Sequence, residues 1–268
     1  MSAPAPLLIG LLAATGFVAG LVDAIAGGGG LFTVPALLAV GLPPGVALAT
    51  NKGQAAPGAV SSFVTFFRRG GIDRKRAPLG FALGFLGSLL GARLLLAMRP
   101  EPLRPIVMAL LLFALGTMLF RSRIQVRSAP LAHPKLVLAI VALSLGTYDG
   151  FFGPGTGSIL IVSFVSLFGD SPLYASGNAK VVNLGSNLAA FCLFAWRGAI
   201  LWQLALPMAA ANVIGARLGA RLALRQGDRF VRVVVTFVVL AVVTKLAYDM
   251  VGALPFHGKN CKFLAMTR

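Results

Sequence analysis

The chain has 268 residues, of which 57% are hydrophobic and only 12% are charged. Soluble proteins carry about 25% charged residues, and the mean hydropathy here is +0.88. This composition excludes a soluble globular enzyme and a disordered chain, and it predicts an all-α polytopic membrane protein. The net charge of +17 comes from 24 Lys and Arg against 7 Asp and Glu. Because the basic residues cluster between apolar runs, we attribute most of the excess to helix orientation in the membrane and expect no nucleic acid partner.

Ten apolar runs predict the helices, and eight of them are near or above the roughly 17–25 residues that cross a bilayer. Two runs, 31–41 and 157–168, are too short to cross alone, and each follows a glycine-rich break. The runs are continuous rather than alternating, which disfavours a β-barrel. The first six residues contain no Lys or Arg, so we expect the first helix to remain in the mature protein. The runs lie at about 7–26, 31–41, 46–67, 77–98, 103–120, 136–152, 157–168, 173–196, 199–224 and 230–251.

An internal repeat relates the two short runs and their surroundings. Asp23 matches Asp149 at an offset of 126 residues, and Lys52 matches Lys180 at an offset of 128. The repeat predicts a first transmembrane half at 1–125, a second at 126–256, and a tail at 257–268. Further matches follow in the same order: Gly20 with Gly146, Gly27 with Gly153, Gly29 with Gly155, Gly87 with Gly215, and Leu90–Leu94 with Leu218–Leu222.

Each half has four or five transmembrane segments, depending on whether its short run counts as a crossing. With five, the second half is inverted relative to the first, and, leaving out the tail, twelve Lys and Arg face the cytoplasm against three outside. If the short runs are re-entrant, each half has four crossings, and ten Lys and Arg face the cytoplasm against five outside. We favour inverted repeats, because the loop 68–76 holds five Lys and Arg whereas its counterpart holds only Arg197. That loop and the linker 121–135 then face the cytoplasm.

Polar side chains inside the apolar runs are the candidates for a functional site, because a central Asp, Lys or Arg costs roughly 2.5–3.5 kcal/mol to insert. A lysine surrounded by amide donors suits a small oxyanion. The breaks add unpaired N–H groups and helix N-termini, which attract anions, and paired breaks in two halves indicate a transporter site. The predicted substrate-binding residues are Gly28, Gly29, Gly30, Asn51, Lys52, Gln54, Gly155, Thr156, Gly157, Asn178, Lys180, Asn183 and Asn187.

Two aspartates, Asp23 and Asp149, precede the two breaks, and two roles are open for them. They accept hydrogen bonds from the broken helices or pair with a lysine, or one of them carries a coupling proton. Each lysine needs a compensating partner, for which these aspartates and a bound anion are the candidates. The apolar runs contain no His, and the sequence has neither a phosphate-loop motif nor clustered metal ligands. We therefore expect no cofactor, no metal and no enzymatic activity.

The residues around the breaks resemble those of the TauE/SafE family of sulfite-exporter-like permeases. The resemblance rests on 20–31 (GLVDAIAGGGGL), followed by Pro35 and 49–52 (ATNK), and on 153–157 (GPGTG), followed by 178–183 (NAKVVN). It covers about residues 7–251. It implies a multi-pass carrier of the bacterial inner membrane for sulfite, sulfonates or related sulfur-containing anions.

From these observations we expect a secondary transporter of small anions, with sulfur oxyanions and sulfonates as the favoured substrates. A passive anion channel and a membrane scaffold without transport are the alternatives. The expected partners are the small anion and the lipid bilayer, and a homo-oligomer is left open.

Overall fold

A computed structural model describes residues 6–120 and 131–252, and within these ranges it is helical without strands. The all-helical prediction is therefore confirmed. The predicted boundary between the halves and the tail at 257–268 lie outside the described residues. The helices in the described ranges are α1 (Pro6–Ala26), α2 (Gly30–Ala39), α3 (Pro44–Arg68), α4 (Ala77–Ala97), α5 (Pro100–Phe120), α6 (Pro134–Phe151), α7 (Thr156–Phe168), α8 (Pro172–Trp196) and α9 (Trp202–Gly252).

Four of the helices, α1, α4, α6 and α8, are long and apolar enough to cross a membrane by themselves. The short runs form short apolar helices, α2 with 10 residues and α7 with 13. α3 has 25 residues but carries polar side chains in its first half. α9 spans both of the last two apolar runs and is interrupted at Gly227, where φ is 72°.

Prolines and glycines set several of the helix limits. α3, α6 and α8 each begin at a proline, which loses no helical hydrogen bond there because the first N–H groups of a helix are unpaired. α1 ends at Ala26, and the next two residues, Gly27 and Gly28, have φ angles of 71° and 95°. These left-handed angles are open to glycine and strained for other residues, so the chain can leave the helix there.

Glycines also bring helices of the two halves into close contact. A Cβ atom on Gly16 of α1 would lie 2.6 Å from the Met208 carbonyl oxygen of α9, and one on Gly84 of α4 would lie 2.8 Å from the Val182 carbonyl oxygen of α8. Small residues allow such backbone contact in membranes, where packing rather than the hydrophobic effect joins helices. The two halves are therefore interleaved instead of lying side by side.

Helices α3 and α8 are equivalent in the repeat, and they run antiparallel to each other. Near the end of α3, Phe66 lies beside Gly177 near the start of α8. Earlier in α3, Lys52 lies beside Asn187, which is further along α8. Since residue numbers rise in one helix as they fall in the other, these two equivalent helices point in opposite directions.

Helices α4 and α9 form a second equivalent pair. α9 runs parallel to α3, because Gly53 and Gly58 lie beside Ala205 and Asn212. α4 runs parallel to α8, with Gly84 beside Val182 and Ser88 beside Ser186. α4 and α9 thus also point in opposite directions, as an inverted repeat requires. The inverted arrangement of the complete halves and the number of membrane crossings stay predictions.

Candidate functional site

The two glycine-rich breaks, one from each half, contact each other inside the protein. A Cβ atom on Gly27 would overlap the backbone of Gly157 and Ser158. The Ser158 hydroxyl donates to the Ala26 carbonyl oxygen across 3.0 Å, which pairs an acceptor at the open end of α1. The breaks therefore build one shared centre from two distant parts of the chain.

Asp23, the one charged residue of α1, organises the first break. Its carboxylate accepts hydrogen bonds from the N–H groups of Gly28 and Gly29 at 3.1 and 3.2 Å. The same carboxylate forms an ion pair with the Lys180 ammonium at 2.6 Å, and Lys180 also donates to the Asp23 carbonyl oxygen. The donors of this break are thus held by a carboxylate of the protein.

Lys52 lies at the second break, and its ammonium forms an ion pair with Asp149 at 2.9 Å. It also donates to the Asn187 side-chain oxygen at 3.3 Å, and the Ser186 hydroxyl donates to Asp149. The side chains of Lys52 and Asp149 are only 3% and 2% exposed. An ion pair this deeply buried is held by its geometry and by the additional hydrogen bonds around it.

Both ion pairs cross between the halves. Lys52 of the first half pairs with Asp149 of the second, and Lys180 of the second pairs with Asp23 of the first. Each lysine therefore has an aspartate as its partner in this structure.

A chain of amide and hydroxyl groups continues the site across α2, α3 and α9. Asn51 accepts from the Thr33 hydroxyl and from the Gln54 amide at 3.0 Å. Gln54 in turn accepts from the Asn212 amide at 2.9 Å. These four side chains are buried, and their mutual hydrogen bonds compensate for the loss of contact with water.

A small cavity lies between the two ion pairs and the amide chain. Its free volume is about 30 Å³, which is room for about two water molecules. The residues around it come from both breaks and from α1, α3, α6, α8 and α9. They are Asp23, Gly28, Gly29, Gly30, Asn51, Lys52, Gln54, Ala55, Asp149, Gly153, Gly157, Asn183, Asn187 and Asn212.

Nine of the predicted substrate-binding residues line this cavity, together with both predicted carboxylates. Lys180 does not line the cavity itself, and its ammonium pairs with Asp23, which does. Thr156 also lies outside and donates from its hydroxyl to the Gly153 carbonyl oxygen at 2.8 Å. The nine are Gly28, Gly29, Gly30, Asn51, Lys52, Gln54, Gly157, Asn183 and Asn187.

Two further predicted residues lie apart from the cavity. Gly155 has a φ of 84°, and a Cβ atom there would lie 2.7 Å from Ala114 of α5. Asn178 donates to Asp170 at 2.7 Å and accepts from the N–H group of Asp73 at 2.8 Å. Asn178 thus joins the loop after α7 to the loop after α3.

The prediction did not include Asn212 and Gly153, which also line the cavity. Asn212 is an amide inside the apolar run 199–224, and its insertion cost is the signal that could have identified it. Gly153 matches Gly27 in the repeat and lies beside the Lys52 ammonium.

The broken helices, interleaved halves and buried charged centre define a polytopic membrane transporter. The model of the family described as Sulfite exporter TauE/SafE matches residues 12–246. The chain therefore belongs to the TauE/SafE family and is a multi-pass protein of the bacterial inner membrane.

Several curated relatives support this assignment over nearly the whole chain. A probable membrane transporter protein of Haemophilus influenzae is 40% identical over 245 residues, which are 90% of this chain and 95% of the relative. The probable membrane transporter protein YfcA of Escherichia coli is 36% identical over 253 residues, 94% of each chain. The probable membrane transporter protein ORF9 of a Sinorhizobium species is 35% identical over 246 residues, 90% of this chain and 93% of the relative. No solved structure matches the chain significantly.

Proposed function

We propose that the protein is a secondary transporter of small anions, with sulfite, sulfonates or other sulfur oxyanions as its substrates, and that it moves them chemically unchanged. The observation that carries the proposal is the buried Lys52 ammonium, which lies at the meeting point of two broken helices. Amide groups of Asn51, Asn183 and Asn187 surround the same cavity. A cation with several neutral donors is the chemistry that binds an oxyanion in a site without water.

Substrate binding requires an exchange of partners at Lys52. Its charge is balanced by Asp149, so an incoming anion must displace that carboxylate. The cavity of about 30 Å³ holds about two water molecules, and an oxyanion enters only when side chains move apart.

Protonation of Asp149 would favour this exchange, because a neutral carboxyl group no longer attracts the ammonium. Anion binding is thereby coupled to the uptake of a proton by Asp149. The Ser186 hydroxyl, which donates to Asp149, can turn and accept a hydrogen bond from the protonated carboxyl.

The opposite directions of equivalent helices suit transport by alternating access. In such proteins two inverted halves move around a site near the middle of the membrane. Because both ion pairs join one half to the other, exchange of their partners is linked to the relative position of the halves. This linkage is the proposed route from binding to movement.

Sulfite uptake by proteoliposomes, with and without an imposed proton gradient, tests the proposal. We expect accumulation that depends on the gradient and is lost with Lys52→Met. Arg93→Gln is the control, because Arg93 is exposed and does not line the cavity. Passive, saturable flux would indicate a channel instead. No flux of sulfite, sulfate or simple sulfonates would favour a scaffold without transport.

A further inference from the structure

We propose that a second, separate cavity between α3 and α9 binds the phosphate headgroup of an anionic phospholipid. This cavity has a volume of about 400 Å³. Four arginines line it, Arg68 and Arg69 from α3 and its end, and Arg217 and Arg221 from α9. It shares no lining residue with the central cavity. It is large enough for a headgroup, since ligand pockets typically measure about 300–1,000 Å³.

The four arginines have no acidic partner among the residues that the structure describes. The ion pairs found there are Lys52–Asp149, Lys180–Asp23 and the two that Arg76 forms with Asp73 and Asp170. Four guanidinium groups around one space repel one another unless an anion joins them. The planar guanidinium donates two parallel hydrogen bonds to a phosphate, which makes arginine the preferred residue for this ligand.

Apolar side chains beside the cavity favour a lipid over free phosphate. Ile214, Leu218 and Leu222 are exposed on α9 at intervals of four residues, so they form one strip along the helix. This strip runs next to Arg217 and Arg221, each of which precedes one of its leucines. A phospholipid would place its phosphate among the arginines and its acyl chains along the strip, whereas inorganic phosphate would gain nothing from it.

The position of the cavity agrees with an anionic ligand from the cytoplasmic leaflet. Arg68 is the last residue of α3, at the start of the most basic loop of the chain. Basic residues concentrate on the cytoplasmic side of membrane proteins. Basic pockets between helices on that side are typical sites for anionic headgroups.

The repeat supplies an internal comparison. At the offset of 128, Arg68 corresponds to Trp196 and Arg217 to Leu89, so the equivalent positions on α8 and α4 lack two of the four arginines. Arg221 corresponds to Arg93, which is also exposed but lines neither of these two cavities. Arg93 is therefore a matched control for the loss of one exposed helical arginine.

Lipid retention by the purified full-length protein tests this proposal. We would exchange the protein into micelles with phosphatidylglycerol or phosphatidylcholine and count retained lipids by native mass spectrometry. We expect wild-type protein to retain one phosphatidylglycerol and no phosphatidylcholine. The double variants Arg217→Gln/Arg221→Gln and Arg68→Gln/Arg69→Gln should each weaken retention about tenfold or more, and Arg93→Gln should not.

Two kinds of result would overturn the proposal. The first is equal retention of the two lipids by the wild type, or retention of phosphatidylglycerol that both double variants leave unchanged. The second is displacement of phosphatidylglycerol by inorganic phosphate or sulfite at similar concentration, which would make the cavity a site for small anions. One double variant changes α9 and the other changes the end of α3. If one of them fails to fold, the other still tests the proposal. Because sulfite transport is a different measurement, failure here leaves the proposed function standing.

Discussion

The two repeat-related lysines differ in what surrounds them. Lys180 is held twice by Asp23, through its carboxylate and its carbonyl oxygen, and lies outside the central cavity. Lys52 lines the cavity and has an amide oxygen as its second partner. The repeat therefore supplies two similar charges, and their surroundings favour a binding role for Lys52 and a structural role for Lys180.

For Lys180 we predict a defect in folding that the correct partner repairs. Lys180→Met leaves Asp23 without its cation and should lower the free energy of unfolding by about 3–5 kcal/mol. Adding Asp23→Asn removes the uncompensated charge and should recover most of the loss, whereas adding Asp149→Asn should recover none. Thermal melting of the three variants in detergent measures this. If adding Asp149→Asn to Lys180→Met restored stability and adding Asp23→Asn did not, the pairing of Lys180 with Asp23 would be contradicted.

For Lys52 we predict a defect in anion binding that neutralisation of its partner does not repair. The double variant Lys52→Met/Asp149→Asn should fold, because both charges of the pair are removed. It should bind sulfite at least tenfold more weakly than Lys180→Met/Asp23→Asn, which keeps the cavity lysine. Isothermal titration calorimetry with sulfite compares the two. Equal affinity would place the anion away from Lys52.

At the scale of the elements, the broken helices depend on glycines for two separate reasons. Gly27 has a φ of 71° and contacts the backbone of the opposite break, whereas Gly41 has a φ of 92° and open space around it. The comparison separates the strain of the left-handed conformation from the contact between the halves.

We predict that Gly41→Ala costs about 1–2 kcal/mol, the strain of a left-handed alanine, and that the protein keeps transport. Gly27→Ala carries the same strain and adds overlap with Gly157, so it should lower the melting temperature much further and abolish transport. Melting curves and sulfite flux of the two variants decide this. If Gly27→Ala and Gly41→Ala melt at similar temperatures, the close contact between the two breaks does not contribute to stability.

A cluster of polar side chains joins the loop after α3 to the start of α8. Arg76 donates to Asp73 at 2.6 Å and to Asp170 at 2.8 Å. Burial acts to raise the pKa of Asp73, but hydrogen bonds from the Arg76 side chain and from the N–H groups of Lys75 and Arg76 outweigh it and lower the pKa below 3.8. The charged form of Asp73 therefore stabilises the folded protein.

The lowered pKa of Asp73 predicts a pH-dependent contribution to stability. This contribution is fully present above the ordinary pKa of 3.8 and is lost as the pH falls through the lower pKa of the folded protein. Arg76→Gln should cost about 1–3 kcal/mol at pH 7, and its deficit relative to wild type should shrink below about pH 4. Melting temperatures from pH 7 to pH 3 test this, with Lys75→Gln as an exposed control. A deficit that is independent of pH would argue against a role of Asp73.

At the scale of the whole molecule, the helix directions place the loop 69–76 and the turn 197–201 at opposite ends. α3 leads into the first, and α8, which runs antiparallel to α3, leads into the second. The first is the more basic of the two, so we assign it to the cytoplasm.

Cysteine labelling in intact cells tests this orientation. In a background without Cys192 and Cys261, Lys75→Cys should resist a membrane-impermeant maleimide and Arg197→Cys should react with it. Both side chains are exposed, so slow reaction cannot be ascribed to burial. Disrupted cells, in which both should react, are the control. Fast labelling of Lys75→Cys from outside would reverse the orientation.

The sequence by itself determined the helical class, the two short helices and the polar residues from which the site is built. These features follow from local chemistry: a charge in an apolar run is costly wherever the run lies, and clustered glycines and prolines weaken a helix whatever surrounds it. For the same reason Lys52, Asn51 and Gln54 could be identified without knowing their neighbours.

Only the tertiary structure decided which groups meet. The repeat made Asp23 and Asp149 equal candidates as partners for either lysine, and the interleaving of the halves pairs each lysine with the aspartate of the other half. It also brings Asn212 into the cavity and takes Asn178 away to Asp170. Such contacts depend on the direction and rotation of whole helices, which are set by packing across the full molecule and not by the residues that flank each side chain.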